Sequence, residues 1–442
     1  MKPLIQYILK VQGKRIFRKY KPDVIGITGS VGKTSAKEAV FIVLKNKFSV
    51  RRSIKNYNNE IGLPLTLIGE EAKGKDFFGW FKVFSRALAL TSQTDKDYPK
   101  VMILEMGADK PGDIAYLLKI VKCKIGMITR IGESHLEAFK TVDRIKKEKA
   151  LIVRELEKTN WAVLNFDDER IKDIAKDVKA NYISYGIHEK ADLQASEINL
   201  MKIDARKNDK DAEGREKPEL GAKSYGLSFK MLYKGSAVPV ILEGVAGQSA
   251  IYACLAGAAA GIIYGMNLIE ITDALKNYKN PKGRMNFIPG VKRTLILDDT
   301  YNSSPQSSLE ALEVLSKLMP GKNARRYAVF GDMLELGEYT EAGHREVGEK
   351  IAELEIDELI VVGERSRDIA RGAKQAGMSD DFIFHFSGNE TAAVFLKERI
   401  KEGDIILVKG SQAVRMEKVV KELMADPLRA GELLVRQGED WA

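Results

Sequence analysis

An α/β fold with two mostly parallel sheets is predicted by the pattern of apolar runs along the chain. Strand-like runs alternate with helix-like segments through most of the sequence, an arrangement typical of parallel sheets covered by crossover helices. A glycine-bearing turn at residues 28–32 ends the first run, and Pro-Lys-Gly-Arg at residues 281–284 interrupts the alternation. We therefore predict an N-terminal helix at residues 1–22, a central domain at 23–282 and a Rossmann-like domain at 283–442.

Individual strands and helices follow from the same pattern. In the central domain the strand-like runs are Val24–Thr28, Val101–Met106, Lys124–Thr129 and Trp161–Asn165. The helix-like runs between them are Ser35–Asn46, Asp113–Val121 and Val142–Glu157. In the second domain we expect strands at Leu295–Asp298, Tyr327–Phe330, Leu359–Val362, Phe382–Phe386 and Ile405–Val408.

Two further segments have a distinctive composition. Residues 204–224 are crowded with Lys, Asp, Glu and Gly, so we expect a solvated loop or hairpin tip between strand-like segments at 197–203 and 225–242. Residues 247–266 are rich in Ala and Gly and predict a helix that packs closely on a neighbouring element. The first strand of the second domain is not followed by G-x-G-x-x-G, so a nicotinamide cofactor is not indicated.

Composition limits the class of protein. The 442 residues are 44% apolar and 30% charged, as in an ordinary globular chain. The net charge of +9 is a modest excess that suits an anionic substrate, and we infer no nucleic-acid binding from it. Cys123 and Cys254 lie in apolar runs and predict small core residues in a reducing compartment. Without a secretory signal or an apolar run long enough to span a bilayer, we expect a cytoplasmic protein with no membrane span.

The N-terminal segment has the pattern of a basic amphipathic helix. Its apolar residues recur at roughly helical spacing and are surrounded by five basic residues, Lys10, Lys14, Arg15, Arg18 and Lys19. Such a helix lies on a membrane surface or packs its apolar stripe on the adjacent domain. Of these alternatives we expect packing.

The turn after the first strand has the layout of a phosphate-binding loop. An apolar strand leads into Gly29-Ser30-Val31-Gly32-Lys33-Thr34, and a helical pattern follows. Backbone N–H groups and a helix N-terminus face the phosphates, Lys33 reaches the β- and γ-phosphates, and the Thr34 hydroxyl can bind Mg²⁺. Ile27 stands where the general pattern has a first glycine, and a tight turn without a ligand is the structural alternative.

Other chemically suggestive residues each have an ordinary structural explanation when they are taken alone. Glu105 ends a strand beside the loop and is placed to hold Mg²⁺, although a solvated strand-end acid is equally common. His135 could be structural, Lys149 could be a charge on a helix face, and Asn56–Pro64 could be an N-capping turn. Asp298–Pro305 follows the first strand of the second domain, where ligand-contacting loops of open sheets lie. Their order along the chain is more informative than any one of them.

In that order, the motifs resemble those of the Mur ligases, ATP-dependent amide-bond-forming enzymes of peptidoglycan precursor synthesis. The resemblance runs from about Asp23 to Asp426. The matching segments of the central domain are Thr28–Thr34, Asn58–Pro64, Glu105–Ala108, His135–Glu137 and Lys149, which falls where the family carries a carbamylated lysine. Three segments resemble the subgroup that adds D-alanyl-D-alanine, namely Asp298–Pro305, Phe330–Gly337 and Val408–Ser411.

The resemblance implies a reaction and a set of roles. The γ-phosphate of ATP passes to a substrate carboxylate, and the amine of D-alanyl-D-alanine attacks the resulting acyl phosphate of a UDP-muramoyl peptide. The implied catalytic residues are Lys33, Glu105, His135 and Lys149, and the implied Mg²⁺ ligands are Thr34, Glu105, His135 and Lys149. The implied ATP contacts are Thr28, Gly29, Ser30, Gly32, Lys33, Thr34, Ser35, Arg284, Asp299 and Asn302. The implied substrate contacts are Asn58, Asn59, Asp332, Lys409 and Ser411, and we expect a monomer that closes over its substrates.

The sequence also departs from the family pattern. Only some twenty residues precede the first strand, where the family has a domain for the UDP-sugar, so we expect the nucleotide end of the substrate to be held otherwise. Gly247–Ala250 stands where the subgroup usually has a His-Asn pair. Two other functions stay open, a folylpolyglutamate-type ligase and a non-catalytic ATP-binding partner of another cell-wall enzyme. The second-domain segments argue against the former, and intact Lys33, Glu105, His135 and Lys149 argue against the latter.

Overall fold

The computed structural model describes residues 2–53, 57–74, 76–132, 136–203 and 224–438. The chain divides into two compact units. The first unit comprises Met1–Glu197, Phe229–Val240 and Ile251–Tyr278. The second comprises Ile198–Ser228, Ile241–Ala250 and Lys279–Ala442. Both are built from strands and helices in alternation, so the predicted α/β class with mostly parallel sheets is confirmed.

The larger sheet contains nine strands in the order β2-β3-β1-β4-β5-β6-β7-β8-β9. The strands are β1 Asp23–Thr28, β2 Val50–Arg52, β3 Val101–Glu105, β4 Ile125–Ile128, β5 Trp161–Asn165, β6 Asn181–Gly186, β7 Leu193–Ile203, β8 Ser224–Tyr233 and β9 Ser236–Glu243. From β2 to β7 the neighbouring strands pair in parallel. Ile27 of β1 pairs with Glu105 of β3, so the turn after β1 and the end of β3 lie at the same edge.

Ten α-helices are found in the described residues between Lys2 and Leu275. They are α1 Lys2–Tyr20, α2 Lys33–Leu44, α3 Gly62–Ile68, α4 Phe77–Ser92, α5 Asp113–Leu118, α6 Leu136–Phe139, α7 Val142–Arg154, α8 Glu169–Ala175, α9 Gln248–Ile263 and α10 Leu268–Leu275. Leu9 and Ile16 of α1 are fully buried in the core of the first unit, which confirms the expected packing of this helix. The expected close contact of α9 is also present, since a Cβ at Gly257 would lie 2.9 Å from the backbone of Ala39.

The smaller sheet lies in the second unit and has the order β10-β11-β15-β12-β13-β14. Its strands are β10 Asn286–Pro289, β11 Leu295–Asp299, β12 Arg326–Gly331, β13 Glu358–Val362, β14 Ile383–Phe386 and β15 Ile405–Lys409. All pairs are parallel except β10 with β11. The helices are α11 Pro305–Lys317, α12 Thr340–Glu353, α13 Arg367–Gln375, α14 Asn389–Arg399, α15 Glu417–Leu423 and α16 Ala430–Leu433.

Both faces of the smaller sheet are buried, as its continuous apolar strands predict. Leu407 of β15 belongs to the core on one face, and its neighbours Ile406 and Val408 belong to the core on the other. This alternation leaves the carboxyl ends of the strands as the places where polar side chains emerge.

The remaining sequence-based expectations concern cysteines, the charged segment and membrane spans. Cys123 and Cys254 are free and buried. Residues 204–223 of the charged segment predicted at 204–224 lie outside the described residues. In the described ranges, no helix combines the length and the apolar character needed to span a bilayer.

Candidate active site

The loop between β1 and α2 is shaped by two glycines with positive φ. Gly32 has φ 87° and immediately precedes α2. Gly29 has φ 152°, and a Cβ there would lie 2.0 Å from Oγ1 of Thr129. The Ser30 N–H donates to the carbonyl of Arg130 at 2.7 Å, which fixes the loop against the end of β4. Only glycine fits at position 29, so the sequence produces a tight backbone cradle in front of the N-terminus of α2.

Two lysines converge on this cradle. Lys33 Nζ donates to the carbonyl oxygen of Gly29 at 2.8 Å, and Lys149 Nζ donates to the same oxygen at 3.0 Å. Lys149 is buried on α7, so the alternative of a solvated charge on a helix face is excluded. Burial and the nearby Lys33 charge lower the pKa of Lys149 to about 7. A substantial fraction of Lys149 is therefore a neutral amine near pH 7.

Glu105 lies at the end of β3 with both carboxylate oxygens engaged. Thr34 Oγ1 donates to Oε2 of Glu105 at 3.3 Å. On the other side, Lys37 Nζ lies 3.0 Å from Oε1 of Glu105. Ser53 Oγ accepts from the Glu105 N–H at 3.2 Å. The structure therefore brings Thr34 and Glu105 together, as the sequence predicted for a shared cation site.

The side chains of Thr34 and Glu105 provide oxygen donors for the Mg²⁺ that the family resemblance implies. The described residues contain no group of three or more His, Cys, Asp or Glu side chains suited to a metal ion. Mg²⁺ commonly keeps several waters and is held by one or two carboxylates together with substrate phosphates. A hydroxyl and a carboxylate oxygen 3.3 Å apart at a phosphate loop are hard donors of that kind. Thr34 and Glu105 therefore fit Mg²⁺, whereas His135 lies outside the described residues.

The remaining expected residues of the central domain lie beside the Glu105 turn. The Gly107 N–H donates to the carbonyl of Asn58 at 2.8 Å, and a Cβ at Gly107 would meet the Asn58 side chain at 2.9 Å. Asn59 Oδ1 accepts from the Gly62 N–H at 2.9 Å, at the start of α3. Asn59 thus makes a local turn contact of the kind that its structural alternative predicted, while Asn58 lies against the end of β3. A substrate role for either stays a prediction.

In the second unit, Lys409 and Asp299 are direct neighbours. They are register partners at the carboxyl ends of β15 and β11, and Lys409 Nζ lies 2.5 Å from Oδ2 of Asp299. Lys409 also donates to the carbonyl of Asn302 at 3.0 Å and is buried. The adjacent Asp298 is fully buried, and this burial raises its pKa to about 7. The sequence named Asp299, Asn302 and Lys409 for separate contacts, and the structure joins them in one cluster.

Asp332 and Ser411 form a second contact at the same edge of this sheet. The Ser411 N–H donates to the carbonyl of Asp332 at 3.0 Å, and Ser411 Oγ accepts from the Leu334 N–H at 2.9 Å. The Asp332 carboxylate accepts from the Ser366 N–H at 2.8 Å, where Gly363 with φ 111° leaves room for it. The two residues named from the sequence therefore hold the segment after β12 in place.

The comparisons with known proteins agree with this layout. The Mur ligase middle domain matches residues 86–221, and the Mur ligase glutamate ligase domain matches residues 283–412. The chain belongs to the Mur ligase family. Its similarity to named members extends over nearly the whole chain.

Two relatives and two solved structures illustrate the similarity to other Mur ligases. The UDP-N-acetylmuramoyl-tripeptide–D-alanyl-D-alanine ligase of Bacillus subtilis is 27% identical, over 92% of this chain and 76% of that protein. The ligase of the same name from Escherichia coli is 29% identical, over 90% and 76% respectively. The MurF ligase of Thermotoga maritima in complex with ADP is 27% identical and has a TM-score of 0.73, covering 95% of this chain and 83% of that one. MurF from Acinetobacter baumannii is 25% identical with a TM-score of 0.75, covering 95% and 81%.

Three residues of this Mur ligase chain support the site but were missed from the sequence. Lys37 pairs with Glu105 and also donates to the carbonyl of Ser53 at 2.9 Å. Its position one helical turn after Lys33 was the available signal, because residues four apart lie on the same face of a helix.

The other two missed residues hold loops of the second unit. His344 Nε2 accepts from the Met333 N–H at 3.0 Å, and Nδ1 lies 2.6 Å from the carbonyl oxygen of Thr340. Arg436 donates to the carbonyl of Thr300 at 2.6 Å and pairs with the buried Glu417 at 2.6 Å. The Arg284 guanidinium lies 4.1 Å from the ring centroid of Tyr301 in the same loop. Nothing in the local sequence around Arg436 predicts a contact more than a hundred residues away.

Proposed function

We propose that this chain uses ATP to join D-alanyl-D-alanine to a UDP-N-acetylmuramoyl-tripeptide in peptidoglycan precursor synthesis. The structural observation that carries the proposal is the hydrogen bond between Thr34 and Glu105, which places a hydroxyl and a carboxylate at a glycine cradle with Lys33. The names of the relatives at 27% and 29% identity support the choice of substrates. Because the reaction consumes ATP, we also propose a cytoplasmic location, with the chain acting as a monomer.

The first step forms an acyl phosphate. An oxygen of the acceptor carboxylate attacks the γ-phosphorus of ATP, and the bond to the bridging oxygen breaks, which releases ADP. The backbone N–H groups of the cradle and Lys33 bind the phosphates, and Thr34 and Glu105 would hold Mg²⁺. When bound, Mg²⁺ neutralises part of the negative charge on the phosphate oxygens. Phosphoryl transfer depends on positioning and charge stabilisation more than on covalent help from the protein.

The second step forms the amide. The free amine of D-alanyl-D-alanine attacks the acyl carbon, a C–N bond forms, the C–O bond to phosphate breaks, and the amine loses a proton. We propose Asp332, Lys409 and Ser411 as the dipeptide contacts, supported by their common position at the carboxyl ends of β12 and β15. Asp299 balances the charge of Lys409, so this lysine is held in place before any ligand arrives. Arg284, Asp299 and Asn302 are proposed to contact ATP.

Lys149 is proposed to act as a carbamate. The neutral amine nitrogen attacks the carbon of CO₂ and loses a proton, which leaves an anionic group with two acceptor oxygens. The low pKa of Lys149 supports this step, because an ammonium has no lone pair with which to react. Together with His135, the carbamate would give Mg²⁺ further oxygen and nitrogen donors.

The deciding experiment measures phosphate release with UDP-muramoyl-tripeptide, D-alanyl-D-alanine and ATP, with each omitted in turn. We expect release that requires all three and an amide product detected by mass spectrometry. ATP turnover that does not respond to the acceptor or the dipeptide would favour the non-catalytic partner. Activity with glutamate and a folate acceptor instead would favour a folylpolyglutamate-type ligase, whose Thermotoga maritima representative is 13% identical and shares the fold with a TM-score of 0.57.

A further inference from the structure

Helix α4 exposes several large apolar side chains, in addition to the apolar side chains that it buries against the core. Val83, Ala87 and Leu90 form its buried face. The outer face carries an aromatic stripe formed by Phe77, Phe78 and Phe81, which are 73%, 83% and 68% exposed, and Leu88 on the same side is 59% exposed. Helical geometry places these four within about 100° of one another around the axis. The corresponding face of a helix on a water-exposed protein surface normally carries polar residues.

Residues 2–22 and helix α4 together account for the net positive charge of the protein. Residues 2–22 contain seven basic residues and no acidic one, and α4 contains Lys82 and Arg86 and no acidic residue. Removing these nine from the total of 71 leaves 62 basic residues, which equals the number of acidic residues in the whole chain. The net charge of +9 is therefore the charge of these two segments. Arg86 pairs with Asp95, so most of the unbalanced charge is on residues 2–22.

Helices α1 and α4 adjoin within the first unit. Lys19 Nζ donates to the carbonyls of Leu90 at 3.0 Å and Gln93 at 2.6 Å, at the end of α4. The Tyr20 hydroxyl also donates to the carbonyl of Leu90 at 3.0 Å. Arg15 and Arg18 are exposed on the same basic helix. Cations and exposed aromatic rings are thus held in a fixed arrangement on adjoining helices.

We propose that the aromatic stripe and helix α1 together form a docking surface for an anionic lipid bilayer. Exposed Phe side chains enter the boundary between headgroups and acyl chains, and basic residues are attracted to anionic headgroups. The helices lie on the membrane and do not cross it, in keeping with the absence of a spanning helix among the described residues. A second copy of the chain is a poor occupant, because a symmetric contact would place the same cations against each other. This activity goes beyond the proposed ligation and would hold the ligase at the membrane surface.

Vesicle binding of the full chain tests the proposal. We expect cosedimentation with phosphatidylcholine vesicles that contain phosphatidylglycerol, little binding to pure phosphatidylcholine, and loss of binding when NaCl is raised from about 0.05 to about 0.5 M. Phe78→Ser with Phe81→Ser should lower the bound fraction at subsaturating lipid by about tenfold or more. Arg15→Glu with Arg18→Glu should also lower it. Leu428→Ser is the matched control, since Leu428 is 97% exposed in the second unit.

Trp80 on α4 provides a second readout. The chain has three tryptophans, so Trp161→Phe with Trp441→Phe leaves Trp80 as the sole emitter. We expect brominated phosphatidylglycerol vesicles to quench its fluorescence. The proposal is overturned by equal binding to neutral and anionic vesicles, by unchanged binding of the Phe78→Ser, Phe81→Ser variant, or by self-association that this variant abolishes without lipid. Unaltered ligase activity of the variant in solution establishes that its fold is intact.

Discussion

Lys37 and Glu105 form a buried ion pair beneath the phosphate loop, with Lys37 Nζ 3.0 Å from Oε1 of Glu105. The other oxygen of the same carboxylate accepts from Thr34 at 3.3 Å. The cation therefore fixes the orientation of Glu105, so that Oε2 faces the loop. Because both charges are almost fully buried, the Glu105 carboxylate depends on Lys37 for compensation, while Lys37 Nζ also lies 3.6 Å from Oε1 of Glu38.

Removal of the Lys37 charge is expected to destabilise the fold through Glu105. Lys37→Met should lower the free energy of unfolding by about 3–5 kcal/mol, since it leaves an uncompensated buried carboxylate. Adding Glu105→Gln to this variant should recover a large part of that loss. Urea unfolding monitored by circular dichroism measures the free energy of unfolding of the single and the double variant. Lys47→Met is the control, because the Lys47–Glu270 pair is partly exposed and such pairs contribute about 0–1 kcal/mol.

The same pair is expected to control the affinity for Mg²⁺. If Lys37 positions Glu105, Lys37→Arg should retain the fold and activity, and Lys37→Met should raise the Mg²⁺ concentration needed for half-maximal phosphate release. An unchanged Mg²⁺ dependence in a folded Lys37→Met enzyme would contradict a positioning role and leave only a structural one.

Lys33 is expected to be essential for turnover but not for folding. Lys33→Ala should lower the rate of acceptor-dependent phosphate release by about 10²–10³-fold, the usual effect of losing a preorganised charge contact to the transition state. The circular dichroism spectrum and thermal midpoint should match those of the parent chain. A folded Lys33→Ala enzyme with near-normal turnover would refute the assignment of the phosphate loop.

The sequence predicts the central strands of both sheets well because strands such as β3, β11 and β15 are continuous apolar runs buried on both faces. The predicted strand at Tyr327–Phe330, for example, corresponds to β12 at Arg326–Gly331. Strand β10 was not predicted, since its four residues, Asn286–Pro289, gain their structure from pairing with β11. Its antiparallel direction depends on the turn at Gly290, which accommodates the return of the chain.

The sequence predicted those parts of the candidate site in which a recognisable motif directly follows the end of a strand. Glu105 and the phosphate loop both follow parallel strands, so the fold class predicts that they lie at the same edge of the sheet, and the pairing of β1 with β3 makes them neighbours. The pairing of Lys409 with Asp299 could not be inferred, because it depends on β15 lying between β11 and β12. For the same reason, the resemblance implied a substrate contact for Lys409 without revealing that Asp299 is its acidic neighbour.

Replacement of Lys149 is expected to impair ligation, and an added carboxylate is expected to compensate for part of the loss. Lys149→Ala should lower ligation by about 10²–10³-fold, and short carboxylic acids such as acetate should restore part of it. In the parent enzyme, activity in CO₂-depleted buffer should rise on addition of bicarbonate, since the neutral amine is available above a pKa of about 7. Lys147→Ala is the control, because Lys147 is exposed on the same helix. A Lys149→Ala enzyme as active as the parent would refute the carbamate.

His344 is a buried hydrogen-bond acceptor for the segment that carries Asp332, and this arrangement requires a neutral ring. Its Nε2 accepts from the Met333 N–H, so the proton lies on Nδ1, toward the carbonyl of Thr340. Burial lowers the pKa of His344 below its ordinary value of 6.5, against the opposing effects of the hydrogen bond to the Thr340 carbonyl and of the Asp332 and Asp368 charges. Protonation would place an N–H against the Met333 N–H and break the contact.

Replacement of His344 is expected to reduce both stability and its dependence on pH. His344→Phe should lower the free energy of unfolding by about 1–3 kcal/mol at pH 8, because it leaves the Met333 N–H without its acceptor. As pH falls below 6.5, the unfolded chain binds a proton that the folded chain resists, so the folded state loses stability. The fall in stability between about pH 8 and about pH 5.5 should therefore be smaller in His344→Phe than in the parent. His188→Phe, at an exposed position, should retain the parent profile, and identical profiles for His344→Phe and the parent would show that His344 does not titrate with folding.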